Sequence, residues 1–128
     1  MRAVINSGGT ISRMPLTANI ERLPNNTAVV TLQGALTLGT SLKIADSQIQ
    51  SAIAEGVKRM VLDLTGVNYI DSAGLGLIVY VYGILNDKQG MLRICGLTSQ
   101  VQSLLHLTRT DTFLAIDGHC EESLAALN

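Results

Sequence analysis

Apolar residues along this chain follow two spacings in turn, β-branched runs and steps of three and four, which read as strands and helices in alternation. Ala28-Val29-Val30-Thr31-Leu32 is β-branched and apolar and predicts a strand. A shorter strand is expected over Asn19 to Leu23, with Pro24-Asn25-Asn26 as the turn between them. Leu42, Ala45, Ile49, Ala52 and Ile53 step at helical spacing, with Thr40 or Ser41 as the expected cap and Gly56 as the stop. Arg59 to Leu64 reads as the central strand and Thr65 to Ile70 as a turn. A helix from about Ala73 to Asp87 ends before Gly90, and Met91 to Cys95 is the next strand. Thr98 or Ser99 then caps a helix carrying Val101, Leu104 and Leu105. Phe113 to Ile116 is a short last strand, and Glu121 to Leu127 a closing helix. Strands alternating with helices imply an α/β domain with a largely parallel sheet and crossover connections. Residues 1–17 carry Gly8-Gly9, Pro15 and little periodicity, so a loose N-terminal arm is expected there.

The helix from Ala73 presents two apolar stripes. Leu75, Ile78, Val79, Tyr82 and Leu85 form one; Leu77, Tyr80, Val81 and Ile84 form another, offset from it. One stripe covers the sheet. The second calls for a neighbouring helix of the same domain, a partner protein or a second copy of this chain.

With 128 residues the chain is long enough to bury the core of one domain. A net charge of −1 and scattered Lys and Arg give no electrostatic case for nucleic acid. Charged residues make up 15%, below the roughly 25% of an average soluble domain. Either Ser, Thr, Asn and Gln cover the surface, or part of it is apolar for a partner. Cys95 and Cys120 have no C-x-x-C spacing, and buried, inert thiols are expected. No run of 18 apolar residues and no signal core occur, so a cytoplasmic protein without membrane insertion is expected.

Candidate chemistry concentrates at Asp71-Ser72-Ala73-Gly74-Leu75-Gly76, between the central strand and the following helix. A nucleophile elbow needs glycine two residues before the serine, where Ile70 stands. Gly74-Leu75-Gly76 lacks the third glycine of a dinucleotide fingerprint, Val79 holding that place. No phosphate loop occurs, and no His, Cys and carboxylate cluster has metal-ligand spacing. Asp63 and Asp71 read as strand-end and helix-cap residues rather than a Mg²⁺ pair, and His106 and His119 as surface or helix-end residues. These patterns give no catalytic residue, metal or cofactor. Ser72 is left, either as a helix cap or as a phosphorylation acceptor at a helix N-terminus, where an anion is tolerated.

Residues 59–76, Arg-Met-Val-Leu-Asp-Leu-Thr-Gly-Val-Asn-Tyr-Ile-Asp-Ser-Ala-Gly-Leu-Gly, closely resemble the signature of the STAS domain. That fold is shared by bacterial anti-sigma factor antagonists and the cytoplasmic tails of sulfate transporters. Weaker similarity runs from about Asn19 to Ile116, through Gln33-Gly34-Ala35-Leu36-Thr37 and Leu104-Leu105-His106-Leu107-Thr108. The resemblance implies one STAS domain over 18–128, a mixed sheet of four or five strands with about four helices mainly on one side. It implies that Ser72 is phosphorylated by an anti-sigma factor that is also a serine kinase. The unphosphorylated protein would bind that kinase and free a sigma factor, and a phosphatase would reset it. Asp71, Ala73, Gly74, Leu75 and Gly76, with Gly34 and Thr37 beside them, are the implied partner surface. The family commonly has Gly-Glu-Leu-Asp where this chain reads Gly34-Ala35-Leu36-Thr37, so both acidic positions are absent. Two other readings stay open, a STAS scaffold in a transporter or sensory assembly and a nucleotide-binding module. Monomer and homodimer also stay open.

Overall fold

Asn25 and Asn26 adopt left-handed φ values of 65° and 58°, and the chain reverses there. The reversal pairs β1 (Thr17–Leu23) antiparallel to β2 (Thr27–Leu36). The computed structural model describes residues 14–127. After β2 come α1 (Thr40–Ala54), β3 (Arg59–Ile70), α2 (Ser72–Asp87), β4 (Met91–Cys95) and α3 (Ser99–Leu107). A 3₁₀ turn at Thr110–Thr112, β5 (Ala115–Asp117) and α4 (Cys120–Leu127) complete the chain. The sheet order is β1-β2-β3-β4-β5, parallel throughout except for β1.

Alternation along the strands divides the sheet into two faces. Val30, Leu32, Met60, Leu62 and Ile94 point to the front, where α1, α2 and α3 bury Ile49, Ile78, Leu85, Val101 and Leu105 against them. Val61 and Cys95 point to the rear, where α4 covers them with Leu124 and Leu127. Among the described residues the two cores are unequal, one helix behind the sheet and three in front.

Several features differ from the sequence expectation, among them the last strand, which is Ala115–Asp117 rather than Phe113 to Ile116. β3 continues through the segment expected as a turn. Its register against β2 slips between Thr31/Gln33 and again between Gly34/Ala35, each slip adding a residue to β3. Leu64, Val67 and Ile70 are therefore buried at intervals of three, a spacing that hides a strand. On α2 the buried residues are Gly74, Leu77, Ile78, Val81 and Leu85, a stripe that lies between the two expected ones. Leu75, Tyr82 and Ile84 pack partly on its flanks, leaving Tyr80 as the large side chain that stands out, 57% exposed. α1 starts at Gly39 with no side-chain cap, in place of Thr40 or Ser41. Of the N-terminal arm expected over 1–17, residues 1–13 lie outside the described residues. Leu16 is buried in the front core, and Ala35 N–H donates to the Met14 carbonyl at 2.8 Å.

Candidate functional site

The two bulges of β3 carry Ile70 into the core and release the chain at Asp71, in extended conformation, as the N-cap of α2. Asp71 Oδ1 accepts from Gly74 N–H at 2.9 Å, satisfying one of the free donors of the first turn. Its Oδ2 accepts from Leu38 N–H at 3.0 Å, and Asp71 N–H donates to the Leu36 carbonyl at 3.3 Å. One carboxylate thus fastens the end of β2 to the start of α2. Burial pushes its pKa up, but hydrogen bonds from the Leu38, Gly74 and Ala73 backbone outweigh it and hold the group below the usual carboxylate range. Asp71 is ionised at neutral pH.

Gly74 fits because nothing larger can. A Cβ there would overlap the Leu36 carbonyl oxygen, so the close approach of α2 to β2 needs glycine. Gly76, two residues on, faces open space.

Ser72 is the first residue of α2 and is exposed. Its hydroxyl makes no hydrogen bond among the described residues, and the capping role falls to Asp71. Beside it a shallow groove of about 250 Å³ runs between α1 and α2, lined by Leu42, Lys43, Asp46, Ala73, Gly76, Leu77 and Tyr80. Leu38, 74% exposed, follows Thr37 at the end of β2 next to the same turn.

The expected site residues therefore divide. Ser72, Ala73, Gly76 and Thr37 lie on or beside this surface; Asp71 and Gly74 hold its shape, and Leu75 is half-buried against the core. Gly34 lies further back, paired with Val67, with a left-handed φ of 102° and packed on Pro15. Leu38, Lys43 and Asp46 are the residues that sequence reasoning missed. Lys43 and Asp46 each follow a buried residue, Leu42 and Ala45, by one position, so the helical spacing of α1 did place them on its flank.

Other candidates are not brought together. Asp63 Oδ1 accepts from Thr65 N–H at 3.0 Å and Thr65 Oγ1 at 2.6 Å, closing a local turn. Eight residues of extended chain, roughly 25 Å, separate it from Asp71. His106 Nδ1 pairs with Asp111 at 3.0 Å, and His119 N–H donates to Glu122 at 3.0 Å ahead of α4. The cysteines are not inert thiols: Cys95 and Cys120 form a disulfide, their Cα atoms 5.1 Å apart. Their separation by 25 residues gave no sign that β4 and α4 meet. Asp63, Cys95 and Cys120 are the one His/Cys/acid group among the described residues close enough for a metal, and their sulfurs are bonded to each other. Among the described residues no helix is long and apolar enough to cross a membrane.

The STAS domain model matches residues 17–126. The chain belongs to the STAS domain family. It is 29% identical over 80 residues to the anti-sigma F factor antagonist of Paenibacillus polymyxa, covering 62% of this chain and 68% of that protein. It is also 29% identical over 83 residues to the anti-sigma-B factor antagonist of Listeria monocytogenes, covering 65% and 72%. Among solved structures, the Bacillus cell fate determinant SpoIIAA in its phosphorylated form superposes with a TM-score of 0.70 at 17% identity, covering 88% of this chain and all of that one. Unphosphorylated SpoIIAA superposes equally, at 0.70 and 19% identity over 86% and 96%. The five-stranded mixed sheet and four helices of the described residues match the SpoIIAA fold.

Proposed function

We propose that this STAS domain is an anti-sigma factor antagonist that binds an anti-sigma factor serine kinase while Ser72 is unmodified, frees a sigma factor by doing so, and is released when Ser72 is phosphorylated. A phosphatase restores the binding form, and the cycle runs in the cytoplasm. The observation that carries this reading is the free, exposed hydroxyl of Ser72 at the first position of α2, beside a groove and an exposed Leu38. The protein acts as ligand and substrate; it supplies no catalytic group.

The mechanism follows from charge and burial. Phosphorylation adds about −1.5 to −2 charges at neutral pH. At the N-terminus of a 16-residue helix that charge is locally favoured, so the domain stays folded. The equal fit of this chain to SpoIIAA in both forms agrees with a fold indifferent to the modification. In a docked complex the same dianion must lose water beside ionised Asp71, whose oxygens are already occupied by backbone N–H groups. Burying an unpaired charge costs several kcal/mol, and each 1.4 kcal/mol is tenfold in affinity. The groove residues Ala73, Gly76 and Tyr80 supply the flat, weakly charged contact that a partner covers. The stripe Leu77–Tyr80–Val81–Ile84 does not serve as a separate docking face, since Leu77 and Val81 are core residues.

Titration calorimetry of the Ser72→Asp and Ser72→Ala variants against the kinase tests this. Ser72→Ala is expected to bind like the unmodified chain and Ser72→Asp at least about tenfold more weakly, with melting temperatures unchanged. A complex indifferent to Ser72→Asp points instead to a constitutive scaffold, and a large drop in melting temperature contradicts the helix-terminus argument.

A further inference from the structure

The rear face of the sheet carries a feature that the serine site does not use. We propose that Cys95 and Cys120 are a reversible thiol–disulfide site that latches α4 onto the sheet when oxidised and lets it lift when reduced. Four observations bear on this. α4 is the one described helix on the rear face, and its apolar contacts to the sheet come from Leu124 and Leu127. The Ser123 hydroxyl donates to Asp117 Oδ2 at 2.7 Å, the same carboxylate that Arg93 grips at 2.7 and 2.9 Å. The bridge is the remaining tie, and it joins the first residue of α4 to the last residue of β4.

The second observation is asymmetry of access. Cys95 is fully buried, whereas Cys120 is half-buried at the helix start, after exposed Gly118 and His119. A reagent reaches Cys120 Sγ first, and Cys95 is the sulfur that leaves or resolves. Thirdly, the reduced state needs no repair. The Leu62 carbonyl oxygen lies 3.6 Å from Cys95 Sγ, so a thiol formed there has an acceptor in place. Lastly, a carboxylate oxygen of Asp63 lies within 4.8 Å of both sulfurs. That oxygen is a polar neighbour of both sulfurs, whichever state they are in.

The chemistry balances with ordinary reagents. Oxidation takes a hydroperoxide: Cys120 becomes a sulfenic acid as the O–O bond breaks, and Cys95 sulfur then displaces water to form the S–S bond. Two thiols and one hydrogen peroxide give one disulfide and two waters. Reduction takes a low-molecular-weight thiol. Its sulfur attacks Cys120, the S–S bond breaks with Cys95 taking up a proton, and a second thiol releases Cys120 from the mixed disulfide. Lifting α4 then uncovers Val61 and part of Val29, apolar positions on an otherwise polar sheet face.

The test is hydrogen exchange by mass spectrometry on the full chain, after hydrogen peroxide and after dithiothreitol. The oxidised chain is expected to be two hydrogens lighter and to protect the amides of α4. The reduced chain is expected to exchange them about tenfold faster or more, while α2 and the central strands stay protected. Cys120→Ser and Cys120→Ala are expected to show the fast rate with either reagent. Failure of peroxide to form the bridge, equal protection of α4 in both states, or loss of protection throughout the sheet on reduction would each overturn the proposal.

Discussion

Removing the Asp71 carboxylate tests how far one side chain shapes the serine turn. Asp71→Ala deletes the cap bond to Gly74 N–H and the bond to Leu38 N–H together. An N-cap replaced by Ala costs about 1 kcal/mol. The Leu38 amide is exposed enough to turn to water, so its loss adds less than the 1.5–3 kcal/mol of a buried charged bond, about 1 kcal/mol. The expected total is about 2 kcal/mol. Asp71→Asn keeps an oxygen for Gly74 but loses the second acceptor and the favourable charge at the helix start, about 1 kcal/mol. Acid then separates the two effects. The folded pKa of Asp71 lies below its unfolded value, so its charge contributes stability above the unfolded value near 3.8, and that contribution is lost as pH falls through the folded pKa. The gap between the native chain and Asp71→Asn should therefore close at the acid end, other titrating groups cancelling between them. Urea unfolding at pH 7 and at stepwise lower pH down to about 2 measures both quantities. An Asp71→Ala chain as stable as the native one, or an Asn gap that persists in acid, would refute the assignment of Asp71 as an ionised double acceptor.

The remaining predictions use the same kind of measurement. Gly74→Ala should destabilise the chain by about 2 kcal/mol in urea melts, because its methyl meets the Leu36 carbonyl oxygen where α2 crosses β2. Gly76→Ala, facing open space, should be neutral or slightly stabilising in the same melts. Reducing the Cys95–Cys120 bridge, which closes a loop of about 25 residues, should cost about 3.5 kcal/mol on the chain-entropy model; Cys120→Ser should be insensitive to reductant. Arg93 holds the Asp117 carboxyl below the usual range, so its contribution is present above about pH 4 and fades as pH falls through the lowered value. Stability of Arg93→Ala should accordingly vary less with pH than the native chain does between about pH 5 and 2, as read from thermal melts.

The order of strands and helices was legible because β-branched runs and helical stepping rarely conflict in this chain. Ala28–Leu32, Met91–Cys95 and the α1 stripe from Leu42 to Ile53 all stand where the periodicity puts them. The second half of β3 was not legible, because two bulges replace a period of two by buried residues at 64, 67 and 70. On α2 nearly every position is apolar, so periodicity had no contrast to fix the buried face; the close approach at Gly74 fixes it instead. The serine site was legible as a string, and so was Asp71 as the helix cap. That the same carboxylate also holds the Leu38 N–H, 33 residues away, was not. The disulfide had no local signature for the same reason: a contact between β4 and α4 is a product of the sheet, not of the spacing of two cysteines.

The central claim is that Ser72 alone switches binding. The direct measurement is to incubate the complex of this chain and the proposed serine kinase with ATP and follow intact mass, phosphosite and complex together by native mass spectrometry. One phosphate on Ser72, appearing in step with dissociation of a still-folded chain, is the predicted result. A complex that persists with Ser72 fully phosphorylated, or dissociation with the phosphate on another residue, would contradict it.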